Sequence, residues 1–171
     1  MLALLASLLV SSWTTFETLA GDLWESAVNA RPKLAANVSK SIKIDMLQKH
    51  GPQKLGTILR EQREAGFATL EEIRISYKRA FVEHGDRVQA SLIGNALDAL
   101  ALARNLIVHK ASRCDEEYAR RSKGLPQLPQ LEIGQELLLN GSLVRSLVEP
   151  ATIAARDLIA AVGSWMRTHP E

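Results

Sequence analysis

An all-α domain is what this sequence predicts, and three observations carry the prediction. Leu and Ala fill 48 of the 171 positions, against nine Val, ten Ile and three Phe, a bias toward helix formers over the β-branched and aromatic residues that sheets favour. Large apolar residues recur at three-to-four spacing, the period of one helix face. Capping and stop signals punctuate the long apolar stretches where helices of ordinary length would begin and end. The length suits a single domain, residues 1 to 171, with one core, and the expected architecture is a bundle of about five to seven helices.

From Leu2, apolar residues at 5, 9, 13, 16, 19 and 23 form one stripe and predict a helix over 2–30. Arg31-Pro32 closes it, because a residue before proline is pushed out of the α region. No Lys or Arg precedes Arg31, so the basic start of a signal peptide is missing. The apolar run from Met1 to Val10 reads as too short to span a bilayer and as the core of a cytoplasmic protein. Helices over 40–49, stopped by His50-Gly51-Pro52, and over 53–64 follow. Thr69-Leu-Glu-Glu72 is a capping box that opens a helix to about His84. Asp86 with Gln89 is a second one, opening the longest apolar run, to about Ala111. Gly124-Leu-Pro-Gln-Leu-Pro-Gln130 is a connector that its prolines keep out of a helix. Asn140-Gly141 is a hairpin signal, since both central positions of a type I′ turn favour positive φ, so a small β-hairpin is expected within 131–148. Pro150 suits the first turn of a last helix to about Arg167, with Ile153, Ala154, Leu158, Ala161 and Trp165 on its buried stripe.

Several function classes drop out by composition. Cys114 is the single cysteine, so neither a disulfide scaffold nor a multi-cysteine zinc site is expected. His50, His84, His109 and His169 show no ligand-like clustering, and no metal or cofactor is expected. Glycine-rich phosphate loops and nucleophile elbows are missing from the sequence. The net charge of +2 hides an uneven distribution. Residues 1 to 30 carry three acids and no bases, residues 31 to 87 twelve bases and seven acids, and residues 104 to 123 six bases and three acids. The basic stretches read either as a phosphate-binding face or as ordinary solvated helix surface. Trp13, Trp24 and Trp165 read as core or interface residues at helical spacing.

The informative feature lies inside the most apolar helix. From Ala96 to Val108 only Asp98, Arg104 and Asn105 are polar, with His109 just beyond. A guanidinium keeps its proton, so in such a helix it must reach solvent, a carboxylate or an incoming phosphate. Asp98 and Glu17 are candidate carboxylates for a purely structural ion pair. Asn105 and His109, four apart, share a helix face, and the amide is placed to orient the imidazole. Arg104 and His109, five apart, diverge by about 140° on an ideal helix. Their convergence is therefore expected only through distortion or through a second molecule.

Arg104-Asn-Leu-Ile-Val-His109 resembles the signature of the HEPN superfamily, in which Arg, four to six residues and His follow one another, often with a polar residue directly after the Arg. The stretch continuing to Asp115-Glu-Glu-Tyr118 is similar as well, since an acidic and aromatic pair often follows the His there. Over most of its length the chain most resembles the stand-alone bacterial members linked to RNA cleavage and phage defence. Arg79-Ala-Phe-Val-Glu-His84 fits the bare spacing but lacks the polar second residue and sits on an ordinary amphipathic helix. The resemblance implies a HEPN-like helical fold, an RNA substrate, and a homodimer whose seam forms a composite active site. It also implies a toxin–antitoxin or phage-defence setting with a cognate antitoxin or inhibitor protein.

In that reading Arg104 binds the scissile phosphate, His109 transfers protons because imidazole titrates near neutrality, and Asn105 fixes the imidazole or an oxygen. The reaction is metal-independent attack of the 2′-hydroxyl on phosphorus, leaving a 2′,3′-cyclic phosphate and a 5′-hydroxyl. The alternative is the same fold without catalysis, a helical module for protein interaction or RNA binding. Asp98 reads as a salt-bridge residue, and Asp115 and Tyr118 as capping and packing residues.

Overall fold

The computed structural model describes residues 2 to 170, and among them every regular element is helical. In order they are α1 (Leu2–Ala30), α2 (Pro32–Val38), α3 (Ile44–His50), α4 (Leu55–Glu61), α5 (Leu70–Ala80), α6 (Asp86–Leu92), α7 (Asn95–His109), α8 (Glu116–Arg121), a short 3₁₀ turn (Ser122–Gly124) and α9 (Gly141–Thr168). The all-α class is as expected. The helices number nine among the described residues because α2 and α8 form where none was expected and the run from Asp86 divides into α6 and α7. The chain groups into two compact units, one of Met1–Phe16 with Ile93–Ala154, the other of Glu17–Leu92 with Ala155–Glu171.

In the second unit, α1 ends where proline dictates. Arg31 sits at φ −137°, ψ 85°, outside the helical region, and Pro32 starts α2. Thr69 caps α5, its hydroxyl accepting from the Glu72 amide at 3.2 Å. The Glu72 carboxylate accepts from Ala68 at 2.9 Å, one residue earlier than a standard box. Leu70, Ile73, Tyr77 and Ala80 make the buried face of α5. The Tyr77 hydroxyl donates to the Ala20 carbonyl at 2.8 Å and the Trp24 indole to Ser76 at 3.0 Å. Gly56 admits α4 to α1: a Cβ there would stand 2.7 Å from the Glu25 carbonyl oxygen. The helix from Thr69 ends at Ala80 rather than His84, because Phe81 leaves helical geometry at φ −92°, ψ 62°.

In the first unit, α7 buries Leu97, Leu100, Leu102 and Leu106 with three alanines, Ala99, Ala101 and Ala103. Leu9, Trp13 and Phe16 of α1, Tyr118 of α8 and Val144 and Leu147 of α9 are buried in the same unit. The long helix expected from Asp86 is interrupted at Gly94, whose φ of +133° only glycine adopts readily.

The expected β-hairpin at Asn140-Gly141 does not form. Asn140 instead caps α9, its side-chain oxygen accepting from the Leu143 amide at 2.9 Å, the other use to which an Asn-Gly pair lends itself. Consequently Pro150 lies inside α9 rather than at its start. The buried stripe runs through Val144, Leu147, Ala151, Leu158 and Val162, while Ile153 is 56% exposed. Among the described residues the one extended pairing is an isolated antiparallel bridge between Arg113 and Glu136.

Of the three tryptophans, Trp13 and Trp24 are buried, and Trp165 stacks on His169 while its indole donates to the Glu83 carbonyl at 2.8 Å. The apolar character of α1 extends past Val10. Over Ala3–Ala30 it is long and apolar enough, by length and composition, to cross a membrane, and 22% of its most apolar window is buried.

Candidate functional site

The last turn of α7 brings the three singled-out side chains together within one chain. One terminal nitrogen of Arg104, Nη1, lies 3.2 Å from Asn105 Oδ1 and 3.2 Å from His109 Nε2. This corrects the expectation that Arg104 and His109 need helix distortion or a second molecule to meet. The 140° divergence applies to the Cα–Cβ directions, and the long arginine side chain spans it. Asn105 orients the guanidinium, where sequence spacing had pointed it at the imidazole.

Burial is graded across the site. The helix is apolar and buried up to Leu106, Arg104 is half-buried, and Asn105 and His109 are exposed. Arg104 Nε is enclosed without a hydrogen-bond partner. Asp98 faces Arg121 at 3.7 Å, and among the described residues of its own unit no acidic side chain forms an ion pair with Arg104. When Nη1 donates to Nε2, that nitrogen carries no proton and the ring proton sits on Nδ1.

The turn after His109 holds this geometry. Ala111 and Ser112 both adopt positive φ, 49° and 63°, which is costly for residues with a Cβ. The Ser112 amide returns to the Leu106 carbonyl at 3.0 Å, closing the helix with a wider loop than the six-to-one bond of a Schellman end. The chain beyond is pinned to the segment before α9 by Leu137 N–H to Ser112 O at 2.7 Å and Cys114 N–H to Gln135 O at 2.8 Å. No sequence signal marked this turn, because neither residue is the glycine or asparagine that announces positive φ.

Asp115 and Tyr118 are structural, as their residue types suggested. Asp115 caps α8, accepting from the Tyr118 amide at 2.9 Å, and pairs with Lys110 at 3.3 Å. Chiefly that amide, helped by Lys110, holds its carboxyl below the usual range. Tyr118 is buried and donates to the Pro129 carbonyl at 3.1 Å; burial pushes its phenol up to about 12, so it moves no protons near neutrality. Burial, then Asp115, raises the Cys114 thiol, which keeps it protonated and inert.

Comparison with protein-family models, curated proteins and solved structures finds no match to this chain. The competing sequence match is dispersed. Arg79 donates to the carbonyls of Glu64 and Val38, while His84 lies against the His169 ring, 5.4 Å between centroids. Among the described residues no group of three or more His, Cys, Asp or Glu is placed to hold a metal ion. Surface cavities of about 520, 390 and 570 Å³ are lined by other residues.

Proposed function

We propose that this chain is a metal-independent endoribonuclease of HEPN type, acting on RNA as a cytoplasmic homodimer in a toxin–antitoxin or phage-defence setting. The observation that carries the reading is the meeting of Arg104, Asn105 and His109 at the solvent-facing end of a buried helix, with no acid of the same unit paired to the arginine among the described residues.

The chemistry follows from those atoms. A phosphodiester arriving at the site draws the guanidinium onto its two non-bridging oxygens, a bidentate charge-assisted contact. That frees His109 Nε2, which takes the proton of the 2′-hydroxyl as its oxygen bonds to phosphorus. The P–O5′ bond breaks, the 5′-oxygen receives a proton from an imidazolium, and Arg104 balances the charge that grows on phosphorus. Base and acid act on opposite sides of phosphorus. A second copy of His109 across a two-fold seam supplies the second role, so the dimer rests on that need and on the HEPN resemblance, no longer on the helical angle. A cognate antitoxin would act by covering this end of α7.

The contact that engages Nε2 favours a second reading, a non-cleaving module that binds RNA or a protein through the same surface. The two separate when purified protein is incubated with RNA in excess chelator. Cleavage by wild type and its loss in both Arg104→Ala and His109→Ala supports the nuclease. Intact RNA with wild type, or equal cutting by both variants, rules it out.

A further inference from the structure

We infer that the segment from Arg31 to Lys54 is a second, catalysis-independent RNA-binding surface that holds the phosphate backbone of a single strand. Between these residues the chain carries six bases and one acid, Asp45. The structure leaves most of that charge uncompensated: Lys40, Lys43 and Lys54 are exposed and have no carboxylate partner among the described residues, while Lys49 and His50 both meet Glu61, at 2.9 and 3.0 Å. The surface is nonetheless fixed, because α2 packs on α4 and α5, and α3 on α4.

A second observation concerns α3, which buries none of its residues and leaves Ile44 73% exposed beside Lys43. Lysines before and after an exposed apolar residue suit a polymer that offers regularly spaced anions and flat apolar base faces between them. A bilayer fits less well. A seven-residue helix presents only one apolar turn, and the lysines lie on the linkers at either end rather than along one polar face. The identity of the polyanion as RNA rests on the nuclease reading; the attraction to a polyanion rests on the local excess of unpaired positive charge.

The test uses the full chain with His109→Ala, so that binding is read without cleavage, and a fluorescent single-stranded RNA whose anisotropy is followed from about 0.05 to 0.5 M salt. Each phosphate contact contributes roughly 0.7 to the slope of log affinity against log salt for a single strand. Lys40→Gln/Lys43→Gln/Lys54→Gln should therefore lower the slope by about 2 and weaken binding about 100-fold near 0.1 M salt. A charge-matched control, Arg145→Gln/Arg156→Gln/Arg167→Gln on α9, should lower it by less than about 0.7. Lys40→Gln alone, lowering the slope by about 0.7, gives the same reading without the triple change. An unchanged slope in the lysine triple overturns the inference, whether or not the wild-type chain cleaves RNA. So does a triple that loses binding to phosphatidylserine vesicles while RNA binding is intact.

Discussion

Asp115→Ala tests whether the turn beside His109 is held as described. The Asp115 carboxylate makes two contacts, the α8 cap to the Tyr118 amide at 2.9 Å and the ion pair with Lys110 at 3.3 Å. Loss of an N-cap costs about 1 kcal/mol. The half-exposed Lys110 pair adds no more than about 0.5 kcal/mol. The sum, about 1 to 1.5 kcal/mol, corresponds to a fall of roughly 2 to 6 °C in Tm for a chain of this size. Because the folded-state carboxyl lies below its ordinary value, its contribution is complete above the unfolded value near 4 and fades as pH falls through the folded one. Thermal melts by circular dichroism should therefore separate wild type from Asp115→Ala at pH 7 and narrow the gap near pH 2 without closing it, because the protonated carboxyl still offers a capping oxygen. Asp115→Asn keeps the capping oxygen and should lose less than about 0.5 kcal/mol at pH 7. An Asp115→Ala protein as stable as wild type at pH 7, or an Asn variant as damaged as the Ala variant, would refute the reasoning.

Other outcomes follow from the same geometry. Gly141 opens α9 without positive φ and with open space where a Cβ would stand, so Gly141→Ala should stabilise the chain by about 0.5 kcal/mol in urea unfolding, whereas a type I′ turn would be damaged by it. Ala111→Gly, relieving a left-handed residue at φ 49°, should raise the unfolding free energy read from urea melts by a net of about 0.5 kcal/mol once the extra freedom of unfolded glycine is subtracted. Cys114, 3% exposed and with its thiol raised by burial, should resist an aromatic disulfide reagent at pH 8 in the native chain and react at once in denaturant.

What the sequence made legible was local. The end of α1 and the start of α5 followed from Pro32 and Thr69, whose effects act within a turn of the backbone. The start of α9 was misread because Asn140-Gly141 satisfies two local rules at once, and only the helix beyond it decides between them. The break at Gly94 went unseen since a lone glycine is tolerated in an apolar helical pattern. At the site, residue types and their spacing singled out Arg104, Asn105 and His109. Their contacts were beyond reach, because a helical wheel fixes the directions in which side chains leave the backbone and says nothing of where a long guanidinium ends. The strained turn at Ala111 and Ser112 is a tertiary effect, held by hydrogen bonds to residues more than twenty positions away.

The central claim is that Arg104 and His109 cleave RNA through its own 2′-hydroxyl. Mass spectrometry of the fragments released from a defined single-stranded RNA by the wild-type chain, in excess chelator, tests it most directly. The account predicts fragments ending in 2′,3′-cyclic phosphate paired with fragments beginning in 5′-hydroxyl. Uncut RNA, or ends bearing 3′-hydroxyl and 5′-phosphate, would contradict it.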